Sequence, residues 1–205
     1  MKQWATLIQD HSISDPEKIT DAAFKIKTTG EQALRLVDEF LSLRQIQEQK
    51  LDYFIATHDI VPFLRQIVNE FMPIAHGRKL TLEANIPEKQ VAVNYDAIKL
   101  RQVFDNILDN AIKYTKEGGI KVLFKEDEDS VTVSVKDTGP GIKEDLLEKL
   151  FTEFQRDKDS KKLIKGTGLG LFIAKKIIKG HKGDIWAESE GENKGSTFFV
   201  RLPKP

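Results

Sequence analysis

Apolar residues recur with a seven-residue period over the first quarter of the chain. Ile19, Ile26, Ala33 and Phe40 hold one position of the repeat, and Ala22, Thr29, Leu36 and Leu43 follow three places after each. Such a seam predicts one long helix over about 15–49, its apolar stripe widened by Ala23, Val37 and Leu41. Ser14 and Glu17 stand at capping-box spacing and Pro16 suits the first turn, so the helix is expected to start there. Residues 1–10 read as the closing turns of an earlier helix. A long amphipathic helix can lie on its own domain, but four heptads of seam favour pairing in a bundle or dimer.

Past residue 50 the period changes. A strand is expected at 51–55. An amphipathic helix follows over 59–75 through Ile60, Phe63, Leu64, Ile67, Val68 and Phe71, with Pro62 in its first turn. Strands at 80–86 and 90–93 flank a turn at Pro87, and a second strong helix over 96–114 lines up Ile98, Val103, Phe104, Ile107, Leu108 and Ala111. Strict alternation marks a hairpin: Ile120, Val122 and Phe124 face Val131, Val133 and Val135 across an acidic turn at 126–129. A helix at 168–179 and strands at 184–189 and 196–202 complete the pattern. This order predicts an α+β fold, a two-layer α/β sandwich with helices on one face of a largely antiparallel sheet. The expected division is a helical segment over 1–50 and a sandwich domain over 51–205.

Composition narrows the function. The 32 Lys+Arg balance 32 Asp+Glu, so the basic excess of a general nucleic-acid binder is missing. The absence of cysteine excludes a disulfide scaffold, a thiolate zinc site and a cysteine nucleophile. No apolar run reaches the ~18 residues that span a bilayer, and no signal-peptide core opens the sequence. A soluble segment of cytoplasmic type, without nucleic-acid or membrane contact, is expected. Glycine is unevenly placed: 11 of the 13 lie between Gly118 and Gly195, a distribution that suggests loops closing on a ligand.

Three sites carry candidate chemistry. In the helix over 96–114, Asn106, Asn110 and Lys113 fall on one face. Amides lower helix propensity, and such a face serves either as a solvated surface or as a set of Mg²⁺ and phosphate ligands. Asp137-Thr138-Gly139-Pro140-Gly141-Ile142 follows a strand; it fits an ordinary Pro-Gly turn, or a carboxylate that accepts a purine amino group. Gly166-Thr167-Gly168-Leu169-Gly170-Leu171 opens a helix, where backbone N–H groups can meet phosphate. No Walker sequence is present, and no leading βαβ unit supports a dinucleotide fold.

In this order the three sites resemble the catalytic ATP-binding domain of sensor histidine kinases, within the GHKL group that includes gyrase and MutL. The asparagine motif corresponds to 106–115 and the two glycine motifs to 137–142 and 166–171. Leu150-Phe151-Thr152-Glu153-Phe154-Gln155-Arg156 stands where that family has a phenylalanine motif, and Gly195-Ser196-Thr197-Phe198 and Leu202-Pro203 match its last strands. The resemblance covers about 15–205 and implies a Bergerat-type sandwich that uses ATP and Mg²⁺ in two-component signal transduction.

Carried over by position, the resemblance implies that Asn110 ligates Mg²⁺ and that Asn106 and Lys113 orient the phosphates. Tyr114 lines the nucleotide, Asp137 binds the adenine amino group between Gly139 and Gly141, and Arg156 approaches the γ-phosphate. Residues 157–165 form a lid hinged at Gly166, Gly168 and Gly170. Ile142, Phe154, Thr167, Leu169, Leu171 and Thr197 complete the implied nucleotide-binding set. In the ATP-hydrolysing relatives a glutamate base stands one turn before the Mg²⁺ asparagine. Here that position is Asn106, which takes no proton at neutral pH, so the site suits phosphoryl transfer to an external nucleophile.

The resemblance also implies a phosphoacceptor histidine in a motif such as H-[DE]-x-[KR]-T-P-L. His11, His58, His76 and His181 do not fit it. If 1–10 ends a first bundle helix, the acceptor lies upstream of residue 1; the alternative is a short natural protein serving another partner. The implied partners are the acceptor histidine domain, a response regulator and a weak homodimer through 15–49. Two other readings remain: an anti-sigma-type protein-serine kinase, against which the long heptad helix counts, and a non-catalytic nucleotide-sensing dimerization module.

Overall fold

Asp15, one residue after the expected cap, opens the first helix by accepting the Glu17 N–H at 3.0 Å. Pro16 then fills the first helical position, and α1 runs Pro16–Gln47. The computed structural model describes residues 6, 15–48, 50–147, 149–153 and 168–205. Ser14 and the helix expected over 1–10, Thr6 apart, therefore lie outside the described residues. The chain divides into two compact units, Met1–Leu51 and Asp52–Pro205. On α1, Ala22 and Leu43 of the heptad seam are buried, whereas Leu36 and Phe40 of the same seam are exposed.

Among the described residues the second unit contains two sheets. Strand β1 (Ala56–Asp59) pairs antiparallel with β3 (Ala92–Tyr95). Residues 51–55, expected as a strand, are not one, because Tyr53 and Phe54 are held elsewhere: the Tyr53 hydroxyl donates to Lys176 O and the Phe54 N–H to Asp96 Oδ2. Helix α2 (Ile60–Gly77) is capped by Asp59, which accepts the Val61 N–H. Strand β2 (Thr81–Asn85) and β3 flank Pro87 as expected but belong to different sheets.

The main sheet also contains the hairpin β4 (Gly119–Glu126) and β5 (Ser130–Asp137), then β6 (Asp184–Glu188) and β7 (Ser196–Pro203). Its order is β2-β4-β5-β7-β6, parallel only between β2 and β4. The other helices are α3 (Ala97–Tyr114), the short α4 (Glu144–Leu147) and α5 (Gly170–Gly180), the last beginning two residues later than expected.

Alternation along the strands decides which face is covered. Val131, Val133, Val135 and Asp137 of β5 point the same way as Ile120 and Val122 of β4 and Phe198, Val200 and Leu202 of β7, and all are buried. Val103, Phe104, Ile107 and Leu108 of α3, Leu64 and Ile67 of α2, and Ile173 and Ile177 of α5 supply the buried helical side of the sandwich. The opposite face carries Lys121, Lys136 and Arg201, with Trp186 stacked on Phe199 at 4.9 Å.

Candidate nucleotide-binding site

Register places the central carboxylate. Asp137 ends β5 on the buried face, directly opposite Ser196 of β7 and Ile120 of β4. The Ser196 hydroxyl donates to Asp137 Oδ2 at 2.5 Å, and the Gly139 N–H donates to Oδ1 at 2.8 Å. The carboxylate is 4% exposed and oriented on both oxygens. Each oxygen still has a lone pair in reserve for an external N–H donor.

The turn that follows is stitched to the β6–β7 connection. The Gly195 N–H donates to Gly139 O, the Asn193 N–H to Pro140 O, and the Ile142 N–H to Ser189 Oγ. Gly141 has φ of 71°, the left-handed region that favours glycine. The Thr138 hydroxyl donates to Glu117 O and accepts the Gly119 N–H, tying the turn to the chain leaving α3.

Gly139 is where a side chain would crowd the carboxylate itself. A Cβ there would stand 2.7 Å from Asp137 Oδ1 and 3.3 Å from Thr115 Oγ1. Thr115 caps the C-terminus of α3, and its Oγ1 is buried without a hydrogen-bond partner among the described residues. An unpaired buried hydroxyl is costly, on the order of 1–3 kcal/mol, so one beside an oriented carboxylate suits a polar ligand or a bound water. The glycine cradle and the orphaned hydroxyl both fit a purine.

Helix α3 forms the spine of the site. Asn106, Asn110, Lys113 and Tyr114 are all half-buried. Asn106 Nδ2 donates to Gly170 O at 3.4 Å, and the Lys113 ammonium lies 5.3 Å from the centre of the Tyr114 ring. Gly170 has no room for a Cβ, which would overlap the Asn106 amide. The first turn of α5 therefore touches the asparagine face midway along α3, while Gly139 lies against Thr115 at the C-terminus of that helix. From Asn106 to Thr115 the helical rise is roughly 14 Å.

Beside this face, burial pushes the Asp105 carboxyl up from its usual range, Arg101 pulls it back, and the like charges of Asp109 and Glu70 add to the rise. Its Arg101 partner also reaches Glu70 of α2, so this carboxylate belongs to a bridge between helices.

Of the implied set, Asn106, Asn110, Lys113, Tyr114, Asp137, Gly139, Gly141 and Ile142 lie on α3 or on the turn after β5. Gly168, with φ of 75°, Leu169, Gly170 and Leu171 lie at the start of α5. Thr197 does not join them. It follows Ser196 on β7, pairs with Lys136 and Glu188, and belongs to the opposite face of the sheet, so the hydroxyl on Asp137 is that of Ser196. Phe154, Arg156, Gly166, Thr167 and the lid expected over 157–165 lie outside the described residues. Phe151 of the same motif is buried against Phe198, ring centres 6.4 Å apart.

Among the described residues no cluster of three or more His, Asp or Glu could hold a metal ion unaided. His58 lies in β1, His76 in the last turn of α2, and His181 is buried. Two surface depressions at the far end of the sheet, around Glu126 and Lys204, are lined by charged side chains. There the hydrogen bonds of Lys89 and Lys204 hold the Glu126 carboxyl below its usual range.

A strand-end carboxylate, an amide-bearing helix and a glycine-opened helix, gathered on a two-layer sandwich, define a nucleotide-binding protein. Residues 95–205 match the family of histidine kinase-, DNA gyrase B- and HSP90-like ATPases. The sensor histidine kinase WalK of Bacillus subtilis (strain 168) is 37% identical over 84% of this chain and 29% of its own length. The sensor protein SrrB of Staphylococcus aureus (strain N315) is 33% identical over 97% of this chain and 34% of its own. The present chain thus spans about a third of the length of these two relatives.

Among solved structures, the catalytic domain of histidine kinase ThkA aligns with a TM-score of 0.64 at 32% identity, covering 73% of this chain and 97% of that one. ThkA in complex with the response regulator TrrA aligns with a TM-score of 0.68 at 25% identity, over 98% of this chain and 57% of that one. Full-length ShkA in complex with AMPPNP shares the fold, with a TM-score of 0.77 at 24% identity over 99% of this chain and 46% of that one. The chain belongs to the histidine kinase-, DNA gyrase B- and HSP90-like ATPase family, and its curated relatives are sensor histidine kinases.

Proposed function

We propose that this chain is the ATP-holding catalytic core of a sensor histidine kinase, which presents the γ-phosphate of Mg·ATP to a histidine outside these 205 residues. The carrying observation is the Asp137 carboxylate, oriented by Ser196 and Gly139 beside the unpaired Thr115 hydroxyl. An acceptor-only group at that point selects a purine with an exocyclic amine over one with a carbonyl. Bound Mg²⁺ supplies charge neutralisation at the phosphates, and Asn110 is the residue that would hold it. Asn106 and Lys113, on the same face, orient phosphate oxygens; Asn106 also meets Gly170 at the start of α5. Asn106 occupies the position of a hydrolytic base and cannot remove a proton from water, which favours transfer over hydrolysis.

The remaining assignments rest on the family. Phe154, Arg156, Gly166 and Thr167 are proposed as nucleotide contacts from the motif alone, with 157–165 as the lid. The heptad helix over 15–49, with Leu36 and Phe40 exposed, is proposed to associate weakly with a second copy. A response regulator is the proposed recipient of the phosphoryl group, by analogy with the ThkA complex.

Labelled ATP added to the chain together with a separate acceptor helix carrying the H-[DE]-x-[KR]-T-P-L motif tests the proposal. Acid-labile label on the acceptor and none on this chain is expected. Stable label on a serine of a partner, or on this chain, contradicts it.

A further inference from the structure

Tyr53 and Phe54 precede the family-matched region by some forty positions, yet both are bonded to the helices of the nucleotide site. The Tyr53 ring fills a notch at Gly180, where a Cβ would overlap it, and stands edge-on to His181 with ring centres 5.4 Å apart. Its hydroxyl donates to Lys176 O at 3.1 Å. The Phe54 N–H donates to Asp96 Oδ2 at 2.9 Å, while Asp96 Oδ1 accepts the Ile98 and Lys99 N–H groups that begin α3.

His181 closes the knot. Its Nε2 accepts the Asp96 N–H at 2.9 Å, so Nδ1 carries the proton and donates to Ile177 O at 2.8 Å. Burial, and then the Asp96 charge, hold the Tyr53 phenol above its usual range and keep it a donor.

The knot joins the N-terminus of α3 to the C-terminus of α5, so the two helices run antiparallel from it. Ten residues along α3 from Asp96 lies Asn106, and eleven back along α5 from His181 lies Gly170. At ~1.5 Å of rise per residue both points stand about 15–17 Å from the knot, and there Asn106 and Gly170 meet. A close-packed helix pair transmits a displacement rather than absorbing it.

We propose that Tyr53, acting through the Asp96–His181 pair, is a positioning residue for nucleotide binding: it sets the alignment of α3 and α5 from their far ends. The inference rests on the nucleotide-binding reading above. It makes the conformation of residues 53–54 a determinant of nucleotide affinity.

The test compares wild type with Tyr53→Ala, Tyr53→Phe and Gly180→Ala in the whole 205-residue chain. A fluorescent ATP analogue gives affinity well below each melting temperature, and amide hydrogen exchange follows Ile173, whose N–H donates to Leu169 O in the first turn of α5. Tyr53→Ala and Gly180→Ala should each weaken binding about tenfold and speed Ile173 exchange, with Tyr53→Phe in between because it keeps the ring in the notch. A purely structural role would lower melting temperature and leave affinity and Ile173 exchange unmoved; that result overturns the proposal. Failure of the wild type to bind overturns the nucleotide reading instead, and the exchange measurement still decides the coupling.

Discussion

Asp137 shows how much of a candidate binding group is decided by its neighbours. The residue sits on the buried face because β5 alternates, and its two oxygens are taken by Ser196 and Gly139 because register and turn put them there. An aspartate followed by glycines is readable in a sequence. Ser196 is not, since a serine in a strand gains meaning only when its cross-strand partner is known. Gly139 offers a clean test at this scale, because its conformation is open to alanine and only space forbids it. Gly139→Ala should weaken binding of an ATP analogue by tenfold or more, as the new methyl displaces the carboxylate, while the melting temperature falls only modestly. Equal affinity by fluorescence titration would show that the carboxylate does not meet the nucleotide.

At the scale of elements, the strongly periodic segments were legible and the connections were not. Helices α2 and α3 and the β4–β5 hairpin lie within a few residues of their expected limits, because each carries a full apolar face. The misread segment 51–55 has strand-forming aromatic and branched residues, but Asp96, Lys176 and Gly180 draw it into the knot at the ends of α3 and α5. No local pattern announces such tertiary bonds.

The cap of α3 predicts a pH dependence. Burial opposes ionisation of Asp96, yet the N–H groups of Lys99, Phe54 and Ile98 outweigh it and leave the carboxyl below its usual range. A lowered folded-state value means the stabilisation is complete above the unfolded pKa of ~3.9 and is lost as pH falls through the folded value. Asp96→Asn keeps a capping oxygen and removes the charge, so its stability should decline less steeply than wild type below about pH 4. Denaturant titrations at pH 7 and pH 3 check this, and identical slopes would remove Asp96 from the acid response.

Over the whole molecule the chain is a catalytic-type sandwich preceded by a long helix, each a compact unit of its own. The sandwich was legible because helices and strands alternate in an order few folds share, and because late glycines cluster where backbone must approach a ligand. The two-sheet arrangement was not, since nothing local distinguishes β3, which pairs with β1, from a strand of the main sheet. Balanced charge, the absence of cysteine and the absence of a membrane-spanning helix among the described residues set limits without naming a chemistry.

The proposed function rests on the Asp137 turn and the asparagine face, joined by one helix, and the central claim is that ATP occupies both. Equilibrium titration of a fluorescent ATP analogue, with Mg²⁺, onto wild type and Asp137→Ala tests that claim most directly. Saturable one-to-one binding to wild type, competed by ATP, and at least ~30-fold weaker in a folded Asp137→Ala chain is the predicted result, given the strength of hydrogen bonds to a buried charge. Absence of binding to wild type, or equal affinity for the two proteins, would contradict it.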